Sequence, residues 1–475
     1  MSSDRRKSQP SSARAGSNAS SPGNPVSPLM LTLSAHIATA SRRALPPEVT
    51  ARAKTHMLDT FAAMVAGSRL LPGKRASAYV RPLNAEPVAG VIGTRLVTSS
   101  QYAARANGMC GHAAETDDTH PPSRTHPGTS AIPAALAIAE QHDRSGRELL
   151  RCVALGYDIC ARTMLALAPT PAQRPACANG AFGHLFGAVS SAAALLHLDA
   201  RKTRFALAYA GQQASGLYTR LRDSEHIEKA YAVGGMPAHN AVLAATMVRS
   251  GFTGVDDVFS GEDNFFATYA PNADVEAMVR DLGKTHEIMR GGIKRWCVGG
   301  PAQAPLDVLH TLMQQHGFRA RDVASVVARI PGTELQIVNN RDMPNISLQH
   351  LLAVMLVDGT LTFASARDAR RMKDAHVSRL RELIKAVGDP SIPNTVRGWR
   401  CGMDITLKDG RRLTHSTMAA KGSHENPLTL DEVEVKARGL MEPVLGKRRS
   451  ALLIEALADI ERLPSARSLR ELYCA

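Results

Sequence analysis

Aromatic side chains are scarce. Phe, Trp and Tyr make up only 4% of the chain, although 44% of its residues are apolar. The interior of this 475-residue protein must therefore be filled mostly by Ala, Leu, Val and Met. Small side chains let helices approach closely, which favours packed helices over a β-sandwich built from β-branched and aromatic residues. No C-x-x-C occurs. The seven cysteines, Cys110, Cys152, Cys160, Cys177, Cys297, Cys401 and Cys474, are odd in number and scattered. That pattern argues for a reducing compartment rather than a disulfide framework, and the usual spacing for a cysteine-held iron–sulfur cluster is missing. No apolar run reaches the ~18 residues that would span a bilayer. The best, from His350 to Val357, is short and ends in Asp358-Gly359. Arg5-Arg6 is followed by Ser, Pro, Gly and Asn instead of an apolar segment, so it does not read as a twin-arginine signal, and a cytoplasmic location is expected.

Net charge is the one strong imbalance, at +14. Such an excess can serve nucleic acid, an anionic membrane surface or anionic substrates. No zinc finger, RNP motif or basic heptad region accompanies it. The densest basic stretch, Arg367 to Arg412, is interleaved with Asp368, Asp374, Glu382, Asp389, Asp404 and Asp409 and reads as a solvated face. Neither nucleic acid nor membrane is expected as a partner, which leaves a small anionic molecule.

Length alone gives a prior of two or three domains at ~100–200 residues each. Residues 1–28 are rich in Ser, Pro, Gly, Asn and Arg, too poor in apolar surface to offset the entropy of ordering, and are expected to be disordered. Residues 29–288 read as helix after helix. Pro46-Pro47 opens one that runs to about Ala66. Ser99 is a plausible N-cap for the next, and Thr129 or Ser130 for the one after, with Pro133 in its first turn. Stretches from Glu148 to Leu167, His184 to Leu198, Lys202 to Ala214 and Pro237 to Gly251 continue the pattern. Residues 289–425 change character: Ala324 to Ile330 reads as a strand, and Asp409-Gly410 between Met403–Lys408 and Arg411–Thr417 as a two-residue hairpin. Helical text returns over 426–475. The fold class expected is mainly α, a large all-helical domain with an inserted smaller α+β domain. Gly180-Ala-Phe-Gly183-His-Leu-Phe-Gly187 lacks the preceding strand and lysine of a phosphate loop, so its glycines are expected to serve helix packing.

The segment richest in chemistry is Gly111-His-Ala-Ala-Glu115-Thr-Asp117-Asp118-Thr119-His120-Pro-Pro-Ser-Arg124-Thr-His126-Pro-Gly128. It brings carboxylates, imidazoles and an arginine between two Ala-rich helices. A solvated loop would hold them equally well on composition, but a loop pinned between buried helices tends to face a crevice. Asp and His in this density suit a metal site, with Asp117, Asp118, His120 and His126 as ligands, or acid–base work with imidazole as proton carrier. No H-E-x-x-H, EF-hand or zinc-ribbon spacing decides between them. Lys294, in Gly291-Gly-Ile-Lys294-Arg295-Trp-Cys297, and Lys229 are candidate cations for a substrate carboxylate. His126 and Lys294 both lie in loops, so replacing either is expected to spare the fold.

These segments together resemble the MmgE/PrpD family. The resemblance rests on Gly-His-(x)n-Asp-Asp-Thr-His followed by His-Pro-Gly, on Gln213-Ala-Ser-Gly-Leu217, Gly234-Gly-Met-Pro-Ala-His-Asn240 and Gly251-Phe-Thr-Gly-Val-Asp256, and on Lys294-Arg-Trp-Cys297 and Leu356-Val-Asp-Gly359. It covers roughly residues 30 to 470. It implies a helical domain with a lid-like α+β insertion, a homodimer, and a site that uses no metal or other cofactor and acts on a small polycarboxylate. It assigns catalytic roles to Asp117, Asp118, Thr119, His126 and Lys294, with Lys229 matching after a one-residue shift. Glu115, Arg124, His184 and His350 are the further candidates for substrate contact. Three departures stand out: Glu115 where Asp is common, Cys177-Ala178-Asn179-Gly180 where a Phe-His-Pro-Thr-like motif is common, and His350 where a tyrosine is common. The expected activity is a lyase removing water or CO2, as in 2-methylcitrate dehydratase, in the propionate pathway. An epimerase working by proton abstraction and return, or a non-catalytic polycarboxylate binder, are the alternatives.

Overall fold

The computed structural model describes residues 25–168, 180–270, 272–392 and 399–474. Most of the N-terminal tail, and the departure at Cys177, Ala178 and Asn179, lie outside them. Mainly helical structure is observed, as the composition implies. The helices Pro47–Gly67, Ser100–His112, Gly128–Gln141, Gly146–Leu167, Ala181–Leu195, Ala200–Gln212 and Met236–Arg249 pack into one hydrophobic core. Alanines pack them, and glycines bring them closer still. A Cβ on Gly156 would stand 2.3 Å from Ser191 Oγ, and one on Gly187 2.4 Å from the Gly156 carbonyl oxygen. Gly183 and Gly187 thus seat the helix Ala181–Leu195 directly on the helix Gly146–Leu167, the packing role expected of that glycine series.

Local signals explain several helix starts. Ser145 caps the helix Gly146–Leu167 through a complete capping box with Glu148, and Thr429 does the same with Glu432 for the helix Leu430–Ala458. One start departs from expectation. The helix after the polar segment begins at Gly128, with Pro127 at the cap position, so Thr129, Ser130 and Pro133 all lie inside it. Thr129 Oγ1 donates instead to the His126 carbonyl and Ser130 Oγ to the His184 carbonyl. The Gly128 N–H is met by a carboxylate ten residues upstream, Asp118 Oδ1 at 3.3 Å, and that anion suits the positive helix end.

A second hydrophobic core gathers residues from Trp296 to Ala420. Its sheet runs in the order Ile384–Gly388, Val323–Ile330, Cys401–Leu407, Arg412–Thr417; the first pair is parallel and the other two antiparallel. The hairpin turns at Gly410, in the left-handed region at φ 90°, but its loop is longer than two residues. Lys408 N–H donates to the Asp322 carbonyl and leaves the ladder. The helix Leu430–Ala458 then returns to pack along Pro47–Gly67 in the first core. Among the described residues no helix is long and apolar enough to cross a membrane.

Candidate active site

The polar segment between the helices Ser100–His112 and Gly128–Gln141 is buried, not solvated. Glu115, Asp117, Asp118 and His120 are all nearly inaccessible. Its backbone is clipped to the second half of the chain, because Thr119 and Gly292 exchange N–H···O bonds of 2.9 and 2.8 Å. A second pairing, between His120 and Thr125, closes the loop on itself. Glu115 and Arg124 both adopt left-handed backbone, at φ 56° and 58°. Non-glycine residues held there cost of order 1–3 kcal/mol and cluster at functional sites.

His126 projects from this loop into a cavity. Its Nδ1 lies 2.8 Å from the Asp118 carbonyl oxygen and 2.9 Å from Asp117 Oδ2. Two acceptors at one nitrogen place the proton on Nδ1, so Nε2 keeps its lone pair. Asp117 Oδ2 also accepts from His112 Nδ1 at 3.0 Å. Burial alone would raise the Asp117 pKa, but His112, Lys294 and His126 outweigh it and hold the carboxyl well below its ordinary value. His184 Nε2 accepts the His126 backbone N–H at 2.8 Å, which fixes it as a neutral acceptor, and burial pushes its pKa well down.

Two lysines converge on Glu115. Lys229 Nζ bonds Glu115 Oε1 directly. Lys294, almost wholly buried, donates to the Glu115 carbonyl at 2.8 Å and lies 4.0 Å from Glu115 Oε2 and 3.9 Å from Asp117 Oδ1. Burial works against the Glu115 charge, yet Lys229, His112, His226 and Lys294 hold its pKa well below the ordinary value. Within this cluster two ammonium and two carboxylate groups balance, so a substrate carboxylate must compete with Glu115 for Lys229.

The cavity encloses about 1030 Å³. Thr119, Arg124, His126, His184, Lys229 and Lys294 line it on one side, with Glu115; Asn339, Asn340 and Arg341 of the second core line the other. Three candidates are not on its wall, and of these Asp117 acts through its bond to His126. Asp118 turns its carboxylate away, where Oδ2 accepts from His56 Nδ1 and Tyr157 Oη, both at 2.6 Å. Only its carbonyl oxygen touches His126, so it supports the site from behind. His350 is buried inside the helix Leu348–Asp358 and is not on the cavity wall. His120 bonds Ser123 and pairs with Glu287, so the ligand set Asp117, Asp118, His120, His126 does not converge. Sets that do converge are His112, Asp117, His126 and His112, Glu115, His226.

Sequence reasoning missed His112, His226 and Lys436. His112 stands in the quoted segment, one turn before Glu115. His226 lies three residues before Lys229 but 114 from His112, whose carbonyl its Nε2 meets at 3.0 Å, and the two rings stack at 5.3 Å. Lys436 reaches in from the helix Leu430–Ala458, 2.8 Å from the Thr116 carbonyl and 2.6 Å from Asp59 Oδ1. No local pattern could have shown either contact.

The arrangement is that of an acid–base site: an imidazole whose tautomer is fixed by a buried carboxylate, facing a cavity that carries cations. Residues 32–278 match the MmgE/PrpD N-terminal domain and residues 296–460 the MmgE/PrpD C-terminal domain. The chain belongs to the MmgE/PrpD family. It is 26% identical over 443 residues to a cis-aconitate decarboxylase of Homo sapiens, spanning 88% of this chain and 89% of that protein. It is also 25% identical over 388 residues to a cis-aconitate decarboxylase of Mus musculus, spanning 78% of each.

Proposed function

We propose that this protein is a metal-independent lyase that removes CO2 or water from a small polycarboxylate, with His126 as the proton carrier. The observation that carries the reading is the Asp117–His126 pair: the carboxylate engages Nδ1 of an imidazole that lines the cavity, which leaves Nε2 for the substrate. In a decarboxylation, Nε2 first takes a proton from solvent; the C–C bond then breaks as CO2 leaves, its electron pair stays on carbon, and that carbon takes the Nε2 proton, which returns the neutral imidazole. In a dehydration, neutral Nε2 removes the proton from carbon as hydroxide departs from its neighbour. Lys229, Arg124 and Lys294 supply positive charge where the substrate's carboxylates lie, and Thr119 adds a hydroxyl. The named relatives are decarboxylases, which moves the weight from 2-methylcitrate dehydration towards loss of CO2. The segments around Asn339 and Arg341 act as the lid over the bound acid.

The test is turnover of cis-aconitate, citrate, 2-methylcitrate and aspartate-derived dicarboxylates by the purified protein, followed by proton NMR in D2O. Release of CO2 or water with deuterium exchange at one carbon supports the lyase. Exchange with inversion and no elimination would make it an epimerase. Binding without exchange or turnover on any of them would make it a binder and overturn the proposal.

A further inference from the structure

A second chemistry is built into the same wall. His112 Nδ1 donates to Asp117 at 3.0 Å, so His112 Nε2 carries a bare lone pair. That atom is buried and has no hydrogen-bond partner among the described residues. It points towards Glu115 Oε1 at 3.9 Å, and His226 Nε2 lies 3.5 Å from the same oxygen. A tetrahedral zinc ion with Zn–N and Zn–O bonds of about 2.0–2.1 Å sets its ligand atoms roughly 3.3 Å apart. The 3.5 Å separation is near that value and the 3.9 Å one is wider, so the three side chains must close in on the ion, all their ligand atoms lying within 4.8 Å of one another. An imidazole whose far nitrogen donates to a carboxylate is also the usual orientation of a metal-binding histidine.

We propose that His112, Glu115 and His226 form an inhibitory site for a divalent ion of the zinc type, for which Lys229 is the resident competitor. The Lys229 ammonium now bonds Glu115 Oε1, where the ion's charge would fall. Lys229 is the partly exposed lysine of the pair, its side chain 21% accessible against 1% for Lys294. It can swing into the cavity while Lys294 stays on the Glu115 carbonyl. His226 gives up its bond to the His112 carbonyl to ligate. All three ligands line the cavity, so the fourth position opens on it, for water or a carboxylate. The other converging set, His112, Asp117 and His126, would need two imidazoles to give up N–H bonds to the buried Asp117 carboxylate, whereas this one needs only His226 to give up a bond to a carbonyl and move its proton to Nδ1. An occupied site removes Lys229 from the substrate and stops turnover.

The experiment is zinc titration of the chelator-treated, full-length protein against a chromophoric chelator, with no substrate present, so the outcome is independent of the lyase reading. We expect one ion per chain. His226→Gln weakens it at least about tenfold, a loss typical even when only an outer partner of a metal ligand is removed. Lys229→Met tightens it by a similar factor, with one ion still bound per chain and a cooperative melting curve, which separates the gain from zinc taken up by the thiols of unfolded chains. Zinc affinity unchanged or lowered in Lys229→Met, or binding indifferent to His226→Gln because it sits on other histidines, overturns the proposal.

Discussion

Asp117 and His126 divide one task, and the division decides which substitution is informative. Replacing His126 by Asn keeps a polar side chain in a partly open position and removes the proton carrier. Turnover should fall by about 10²–10⁴-fold, the usual share of general acid–base catalysis, with the thermal midpoint little changed. Steady-state kinetics beside a melting curve checks this, and near-normal kcat would sink the assignment. Lys294 is different. Its loop position suggested that Lys294→Ala would spare the fold, but its ammonium is buried against Glu115 and Asp117. Breaking one side of a buried pair costs on the order of 3–5 kcal/mol, because the partner charge is left uncompensated. Lys294→Ala should therefore lower stability as well as activity, visible as a shifted denaturation midpoint. Sequence pattern exposed Glu115, His126 and Lys294 as chemistry-bearing groups. It could not show that Glu115 already satisfies Lys229, since that pair spans 114 positions.

The helices were legible where their signals are local. Ser99 stands at the cap position expected of it, although its Oγ makes no capping bond, helical text returns at Thr429 as read, and the Ala-rich text packs as expected. The start at Gly128 was misread because its capping group, Asp118, arrives through the loop's own fold. The π-helical turn Tyr231–Gly235 had no local signature. Its glycines have a spatial cause: a Cβ on Gly108 would stand 2.5 Å from the Gly234 carbonyl oxygen. The helix Ser100–His112, which leads directly into the site, therefore rests on that turn backbone to backbone. Gly108→Ala should force the two apart. Overpacking of this kind costs typically 1–3 kcal/mol, and moving this helix should also disturb His112. Chemical denaturation should show a lower midpoint at unchanged slope, with a fall in turnover beyond what the stability loss explains. A stability equal to wild type would mean the contact yields cheaply.

The first and last described helices both belong to the first core, and imidazoles are withdrawn from water in both cores. A homodimer is expected from the family resemblance, and light scattering showing a monomer at micromolar concentration would count against it. Histidines wholly or partly withdrawn from water set a second, pH-dependent property. His36 and His226 are lowered to about 3, and His239 and His350 to about 4, in each case chiefly by burial. For His350, nearby Arg381 and Arg371 add to the effect, and neither ring nitrogen has a hydrogen-bond partner among the described residues. Above its ordinary value of 6.5, His350 is neutral both folded and unfolded, and its titration contributes nothing. As pH falls from 6.5 towards about 4, the unfolded chain gains a proton that the folded protein refuses, so stability is lost across that window. Buried acids whose pKa is raised, Asp59, Asp158 and Glu140, act in the opposite sense, so the net slope of the wild type does not isolate the imidazoles. A difference measurement does. His350→Leu removes two unpaired ring nitrogens and the titration together, at a position off the cavity wall. It should raise the melting temperature modestly at pH 7.5 and by more at pH 5, with activity at neutral pH retained. An equal shift at both values would show that His350 takes up its proton in the folded state, and loss of activity at neutral pH would return it to the substrate's surroundings.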